Sequence, residues 1–233
     1  MFLNNYVQPL NKNIFKQKIM KFIKFCSTVL CCALLCSNCS VTRIIPNSSN
    51  VDESILMLSP NRDIRANFSV VSEQKDGILP IFDEKERTTT TVKYYYQTET
   101  TFKKIWDDYF STKFNASSQE EMKISINQDN FKVYKKNLSS GGQKFGIAAF
   151  GSGSLSFQFE VYSDITTTIN YKGKEFKKIF KIKVDEQSQA NYYRGYGGSD
   201  KNETELVSKM IQKAFNKGIM FTDNFMKTIV PSK

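Results

Sequence analysis

The sequence predicts an α+β fold of two layers, in which a mainly antiparallel β-sheet with a long hairpin is packed on one face by two amphipathic helices. Two observations carry this prediction. Several segments alternate apolar and polar residues, as half-buried strands do, and two others repeat their apolar residues at helical spacing. The chain has 233 residues and 40% of them are hydrophobic, which is enough for a core. We therefore expect a single domain over residues 54–230.

Three strands are predicted in the first half of this domain. Residues 54–60 (SILMLSP) form a short apolar run that Pro60 would end, which favours a buried strand. Residues 64–73 alternate apolar and polar side chains and predict a second strand. Residues 88–97 (TTTTVKYYYQ) are β-branched and aromatic, which favours a strand or an extended arm.

Two helices are predicted, one in the middle of the chain and one at its end. In residues 101–115 the aromatic and aliphatic side chains form one continuous stripe, and Thr100 or Thr101 can cap the start of this helix. Residues 203–230 repeat apolar side chains near helical spacing, and we expect a helix weakened near Gly218. Both stripes are expected to face the core.

The strongest pattern is a hairpin over residues 154–186. A two-residue turn at Lys172–Gly173 pairs residues whose numbers sum to 345, and it places Ile169 opposite Phe176 and Val161 opposite Val184. All apolar pairs then share one face, and the polar face is expected to lie in water. Residues 122–138 predict one strand, or two with a bend at 128–130, and loops are expected at 139–153 and 190–202.

The first 38 residues have the order of a secretory signal, and Met20 is the expected true start. Lys21 and Lys24 precede an apolar run over 25–35 that is too short to span a bilayer. All five cysteines lie between residues 26 and 39. A cytosolic helix with buried thiols, a disulfide or a metal cluster are the alternatives, although the chain has no His.

The segment LLCSNCS, which ends at residue 40, resembles the lipobox of bacterial lipoproteins. This resemblance implies cleavage before Cys39, acylation of the Cys39 thiol with fatty acids such as palmitate, and anchoring in a membrane. Cys36 is the rival site, but the bulky Leu35 precedes it. Ser40 after the cysteine implies the outer membrane rather than the inner one. Residues 39–53 are polar and are expected to be a lipidated N-terminus and tether.

The order of lipobox, tether, strand, helix, hairpin and final helix is similar to YajG-type and ABC-transport-auxiliary envelope lipoproteins. The segments that carry the resemblance are Cys39, ILMLSP (55–60), the 101–115 helix, the hairpin arm NYKGKEFKKIFKIKV (170–184) and the 203–230 helix. It implies a non-catalytic periplasmic domain that works in binding or assembly.

Several function classes are disfavoured by composition. The charge of +10 includes five Lys in residues 1–38, which contain no acid, so nucleic-acid binding is not expected. Without His, and with no cysteine after residue 39, we expect no catalytic residues, no metal site and no cofactor.

The remaining candidate contact residues are Tyr192, Tyr193 and Tyr196, which are flanked by Gly and could meet another envelope protein or a glycan. The leading hypothesis is a lipid-anchored envelope protein with a binding or assembly domain. Two alternatives stay open, namely an exported carboxylate-dependent enzyme acting on glycans, and a surface-exposed adhesin or antigen.

Overall fold

The structure is a computed structural model that describes residues 41–88, 92–140, 152–193, 196–197 and 200–230. All of the described fold lies in one compact unit, residues 41–233. Its elements in chain order are β1 (Val41–Ile44), α1 (Glu53–Leu58), β2 (Arg65–Ser72), β3 (Gly77–Leu79), β4 (Ile81–Phe82), β5 (Val92–Tyr96), α2 (Thr98–Lys113), β6 (Glu121–Asn137), β7 (Ser152–Tyr171), β8 (Lys174–Tyr193), β9 (Tyr196–Gly197) and α3 (Asp200–Ile229).

The strands form a main sheet and a small sheet. In the main sheet the order is β2-β6-β7-β8-β9, and β4 also pairs with β6. The pairs from β6 to β9 are antiparallel, whereas β2 and β4 lie parallel to β6. The small sheet has the order β1-β5-β3, with β1 parallel and β3 antiparallel to β5. The predicted α+β class and the mainly antiparallel sheet are confirmed, with parallel strands at the edges.

The hairpin register is the predicted one. Ile169 pairs with Phe176 and Val161 with Val184, and the same register continues from Tyr171–Lys174 to Ser152–Tyr193, beyond the predicted ends. Lys172 and Gly173 both have positive φ (50° and 74°), which is the backbone of a tight two-residue hairpin turn. The predicted bend in 122–138 is also present, as a register shift between Asp129 and Lys132.

Both long helices cover the same face of the main sheet. On α2, Phe110 stacks on Phe68 of β2 with ring centroids 4.5 Å apart. On α3, the hydroxyl of Thr222 is hydrogen-bonded to that of Thr167 on β7 at 2.9 Å. The core between the layers is aromatic, and Phe102, Trp106, Tyr109 and Phe215 are all fully buried.

Helix α3 continues without a break through Gly218. A Cβ at this position would lie 2.2 Å from Cδ1 of Ile165 on β7, so glycine allows the helix to approach the sheet closely. The prediction that α3 is weakened near Gly218 is therefore wrong, because Gly218 is a packing contact.

Other local predictions are wrong as well. Residues 54–60 do not form a strand, because 53–58 are helical and Asp52 caps this turn by accepting the Ser54 N–H at 2.9 Å. The N-cap residue of α2 is Gln97 rather than Thr100 or Thr101. The Thr100 N–H donates to the side chain of Asp76, which precedes the helix in the chain. Residues 190–193 belong to a strand rather than a loop. The predicted loop at 139–153 lies largely outside the described residues.

Candidate functional site

The predicted tether is the clearest correction, because residues 41–53 belong to the fold. Residues 41–44 form β1 and pair with β5, and the next residue, Ile45, is 1% exposed and donates its N–H to the carbonyl of Tyr95 at 2.9 Å. Cys39 itself lies outside the described residues. The described domain thus starts at residue 41 and not at residue 54.

Residues 46–52 are held along α3 by polar side chains on one face of that helix. Ser48 donates to Oε1 of Gln212 at 2.8 Å, and the Gln212 amide donates to the carbonyl of Asn50 at 2.9 Å. One turn further, Oδ1 of Asn216 accepts the Asp52 N–H at 2.8 Å. We call residues 46–52 the strap. These bonds explain why a polar, linker-like sequence is ordered.

A buried carboxylate fixes β1 to the start of α3. Glu203 accepts hydrogen bonds from Lys135 at 2.7 Å, from Arg43 at 3.3 Å and from the Tyr94 hydroxyl. Burial raises the pKa of Tyr94, and the Glu203 charge raises it further, so this phenol stays protonated and donates. The first strand, the central strand of the small sheet and β6 therefore meet at one residue of α3.

The opposite face of the main sheet carries no described helix and contains a shallow pocket of about 410 Å³. Two aromatic rings form its floor, Tyr134 of β6 and Tyr162 of β7, packed edge to face with centroids 5.5 Å apart. Phe82 of β4 packs against the far side of Tyr134 at 5.6 Å. The walls are polar and include Glu84, Glu86, Asn130, Lys132, Lys136 and Asp164. We call this site the open-face pocket.

Glu160 is the electrostatic centre of the open-face pocket, and its side chain is only 4% exposed. It accepts from Lys136 at 2.9 Å, from Lys183 at 3.1 Å and from the Tyr162 hydroxyl at 2.9 Å. Burial alone would raise the pKa of Glu160, but these hydrogen bonds outweigh it and hold the pKa below its ordinary value. The same contacts raise the pKa of Lys136 and of Lys183.

The chemistry of the open-face pocket is mixed rather than of one sign. Its charged groups are both acidic and basic, and its aromatic rings offer flat faces and hydroxyl groups. Such a lining can exchange hydrogen bonds with a sugar or with a polar stretch of protein. Within the described residues, no group of three or more His, Cys, Asp or Glu could hold a metal ion.

The sequence-predicted tyrosines do not lie in this pocket. Tyr192 and Tyr193 end β8, and Tyr196 pairs with Tyr193 through the short β9; their side chains lie outside the described residues. Glu160 of the pocket pairs with Asp185 of β8, and seven residues of strand from there to Tyr192 span about 23 Å. The tyrosines and the open-face pocket are separate places on the sheet.

Sequence reasoning missed the open-face pocket because it assigned the polar face of the hairpin to water. Glu160 on that face is buried and is held by Lys136 and Lys183 of the neighbouring strands, which alternation within one strand cannot reveal. The signal in the sequence was two tyrosines, Tyr134 and Tyr162, among the polar positions.

Among the described helices, none is long and apolar enough to cross a membrane.

No protein-family model matches this sequence, and no curated protein matches it. Two solved structures match this chain at low sequence identity. An uncharacterised protein shares 6% identity, with 82% of this chain and 98% of that chain covered and a TM-score of 0.34. The Xanthomonas campestris protein XCC0632, of family DUF330, shares 7% identity, with 82% and 100% covered and a TM-score of 0.41. At this level of similarity neither structure carries an argument about function.

Proposed function

We propose that this chain is a lipid-anchored protein of the bacterial cell envelope, attached through Cys39, whose folded domain binds another envelope component without catalysis. Ser40 after the cysteine favours the outer membrane. The observation that carries the proposal is the position of the domain boundary. The compact unit begins at Val41, and its described core is built from residues 45–230. Loss of residues 1–38 would therefore remove no part of that core.

The ordered start of the domain, β1 and the strap, adds a geometric condition to the proposal. Because residues 41–52 are used in the fold, no long spacer separates the anchor from the domain. Two residues from Cys39 to Val41 reach about 7 Å at most. An acylated Cys39 would therefore hold the domain close to the bilayer, and its first strand would come nearest to the lipid.

Metabolic labelling with a palmitate analogue tests the anchor. We expect the wild-type chain to be labelled and to fractionate with membranes, and Cys39→Ala to lose both properties. Cys36→Ala is the matched control, because it removes the rival cysteine and leaves Cys39 intact. Labelling and membrane association that persist in Cys39→Ala would contradict the proposal.

The open-face pocket is the binding surface that we assign to the domain. Its support is the combination of two packed tyrosines with a fully bonded, ionised Glu160 on a sheet face that no described helix covers. A rigid polar floor of this kind binds without needing to rearrange. The partner that fits its mixed charges is another envelope protein or a glycan.

Site-specific photo-cross-linking in cells tests this surface. A benzophenone amino acid at Lys132, on the wall of the pocket, is expected to form covalent adducts of higher mass. The same amino acid at Lys104, half-exposed on the helix layer, is the control. Adducts at both positions in equal yield, or at neither, would contradict the assignment.

One observation keeps an exported glycan-active enzyme as the second candidate. Four carboxylates, Glu84, Glu86, Glu160 and Asp164, line the open-face pocket, and glycosidases use pairs of such groups. Glu160 cannot be the proton donor, because its ion pairs keep it charged. Incubation with labelled cell-wall polysaccharide separates the two candidates. Release of reducing ends that Asp164→Asn abolishes would favour the enzyme over the binding domain.

A further inference from the structure

The small sheet has one buried face and one exposed face. On the buried face, Leu79, Tyr94 and Arg43 lie side by side across β3, β5 and β1, and Tyr94 and Leu79 are almost inaccessible to solvent. Alternation along the strands puts the neighbouring residues on the other side. There Ile78, Tyr95 and Ile44 are in register with one another, and they are 59%, 40% and 73% exposed.

Two polar residues, Thr42 and Lys93, extend this exposed row. Thr42 pairs with Lys93 on the same side of the small sheet, one pleat nearer to the start of β1, and both are exposed. We call these five residues (Thr42, Ile44, Ile78, Lys93 and Tyr95) the outer face. It contains one base and no acid. Aliphatic side chains beside Tyr and Lys are typical of surfaces at the boundary between lipid and water.

The chain that leads into the outer face comes directly from the predicted anchor. Ile44 is five residues after Cys39, which is at most about 17 Å of extended chain. The strap then carries the chain away along α3. Of all the strands described, β1 is thus the one that an acyl anchor on Cys39 would hold next to the bilayer.

We propose that the outer face of the small sheet, centred on Ile44, Ile78 and Tyr95, rests on the membrane surface to which Cys39 is anchored. This inference rests on the proposed lipidation of Cys39. The partner that we propose for the outer face is a phospholipid surface. The segment that contains Cys39 joins the described domain at β1, and the outer face carries a base and no acid. The contact gives the domain one fixed orientation on the bilayer, where a single flexible attachment point would leave it free to turn.

Fluorescence of a single labelled thiol tests this contact. In the mature, acylated chain the leader is removed and the Cys39 thiol is blocked, so Ile78→Cys introduces a unique site for an environment-sensitive dye. Ile179→Cys is the matched control, because Ile179 is 57% exposed on the hairpin. Its neighbour Phe180 packs on Phe221 of α3. Phe221 is 18 residues beyond Glu203, which contacts the small sheet, so the control position lies about 27 Å along the helix from that contact.

Both labelled variants are purified from membranes as the mature, acylated chain. They are reconstituted into liposomes with and without brominated phospholipid and recovered by flotation. We expect a blue-shifted dye at residue 78 that brominated lipid quenches several-fold more strongly than the dye at residue 179. Equal quenching at both positions in floated protein would overturn the membrane contact and leave the anchor intact. Shielding at residue 78 without lipid quenching, together with a cross-linked dimer, would overturn it in favour of a second copy.

Failure of the wild-type chain to float would overturn both the contact and the proposed anchor. A second variant checks that the contact comes from the apolar row itself. Ile44→Asp combined with the label at residue 78 is expected to keep flotation and to lose most of the lipid quenching. Unchanged quenching in this variant would overturn the proposal.

Discussion

The guanidinium of Arg62 and the carboxylate of Asp223 form an ion pair of 2.7 Å inside the protein, with side chains only 4% and 3% exposed. Tyr109 donates to the same carboxylate oxygen at 2.6 Å, so the pair joins α2, α3 and the segment before β2. Lys227, partly exposed, holds the other carboxylate oxygen at 3.0 Å. A charge buried in this way is stable only while its partners remain.

Removal of Arg62 is expected to be strongly destabilising. Arg62→Met leaves the Asp223 carboxylate with less compensation in the core, and we expect a loss of about 3–5 kcal/mol in the free energy of unfolding. The exposed i,i+4 pair Lys104–Asp108 provides the control, since Lys104→Ala should cost less than about 1 kcal/mol. Urea unfolding measures both. Similar losses in the two variants would show that Arg62 contributes no more than a surface charge.

Gly218→Ala is expected to destabilise the protein although alanine favours helix. The new Cβ would meet Cδ1 of the fully buried Ile165, and overpacking of this kind costs about 1–3 kcal/mol. Helix propensity returns at most about 1 kcal/mol. Ile165→Val removes the clashing carbon, so the double variant should recover part of the loss. A Gly218→Ala protein more stable than wild type would refute the close approach.

The hairpin turn predicts opposite effects at its two residues. Gly173→Ala places a Cβ at φ 74° and should cost roughly 1–2 kcal/mol. Lys172→Asn puts a residue that tolerates positive φ at the first position of the turn, and a modest gain in stability is expected. The exposed pairing of Lys172 with Glu120, which the variant loses, is worth little. Thermal unfolding of both variants would measure the two signs.

The strap predicts a local change in hydrogen exchange. Asn216→Ala removes the acceptor of the Asp52 N–H, so the Asp52 amide should exchange many times faster. The Ser59 amide, which caps α1 by bonding to the carbonyl of Ile55 and makes no contact with Asn216, serves as the internal control. If the Asp52 amide keeps its protection in Asn216→Ala, the strap is held by other contacts.

We expect Glu160 to account for part of the loss of stability of the protein at acidic pH. Its pKa is lower in the folded state than in the unfolded chain, so its contribution to stability is present above the unfolded pKa of about 4.3 and is lost as the pH falls through the folded value. Glu160→Gln should therefore flatten the dependence of unfolding free energy on pH below about 4. Unfolding curves between neutral and acidic pH measure this, and an unchanged slope would contradict it.

Periodicity predicted the elements that bury one continuous face. The apolar stripe of residues 102–114 and the alternation on both sides of Lys172–Gly173 each fix their own partner surface, so the helix and the hairpin register follow from local sequence. Residues 54–58 are too few to show either period, and the Asp52 cap decides in favour of a helical turn.

The features that sequence reasoning missed depend on partners far along the chain. The strap is polar and looks like a linker, but its partners Gln212 and Asn216 lie 164 residues away. Glu160 is polar on a polar strand face, and only the lysines of adjacent strands make it a buried ion-pair centre. Such contacts are set by the tertiary fold, which patterns within one segment do not contain.

The continuous register of the hairpin has a consequence for the order in which the domain assembles. Its two strands are joined by a two-residue turn, and α3 follows them in the chain and covers their apolar side. Residues 152–229 can therefore form their contacts at a low entropic cost of loop closure. The parallel pairing of β2 with β6 joins residues 56 positions apart and needs a slower search. We therefore expect folding to nucleate in the last third of the chain, with residues 41–52 docking afterwards.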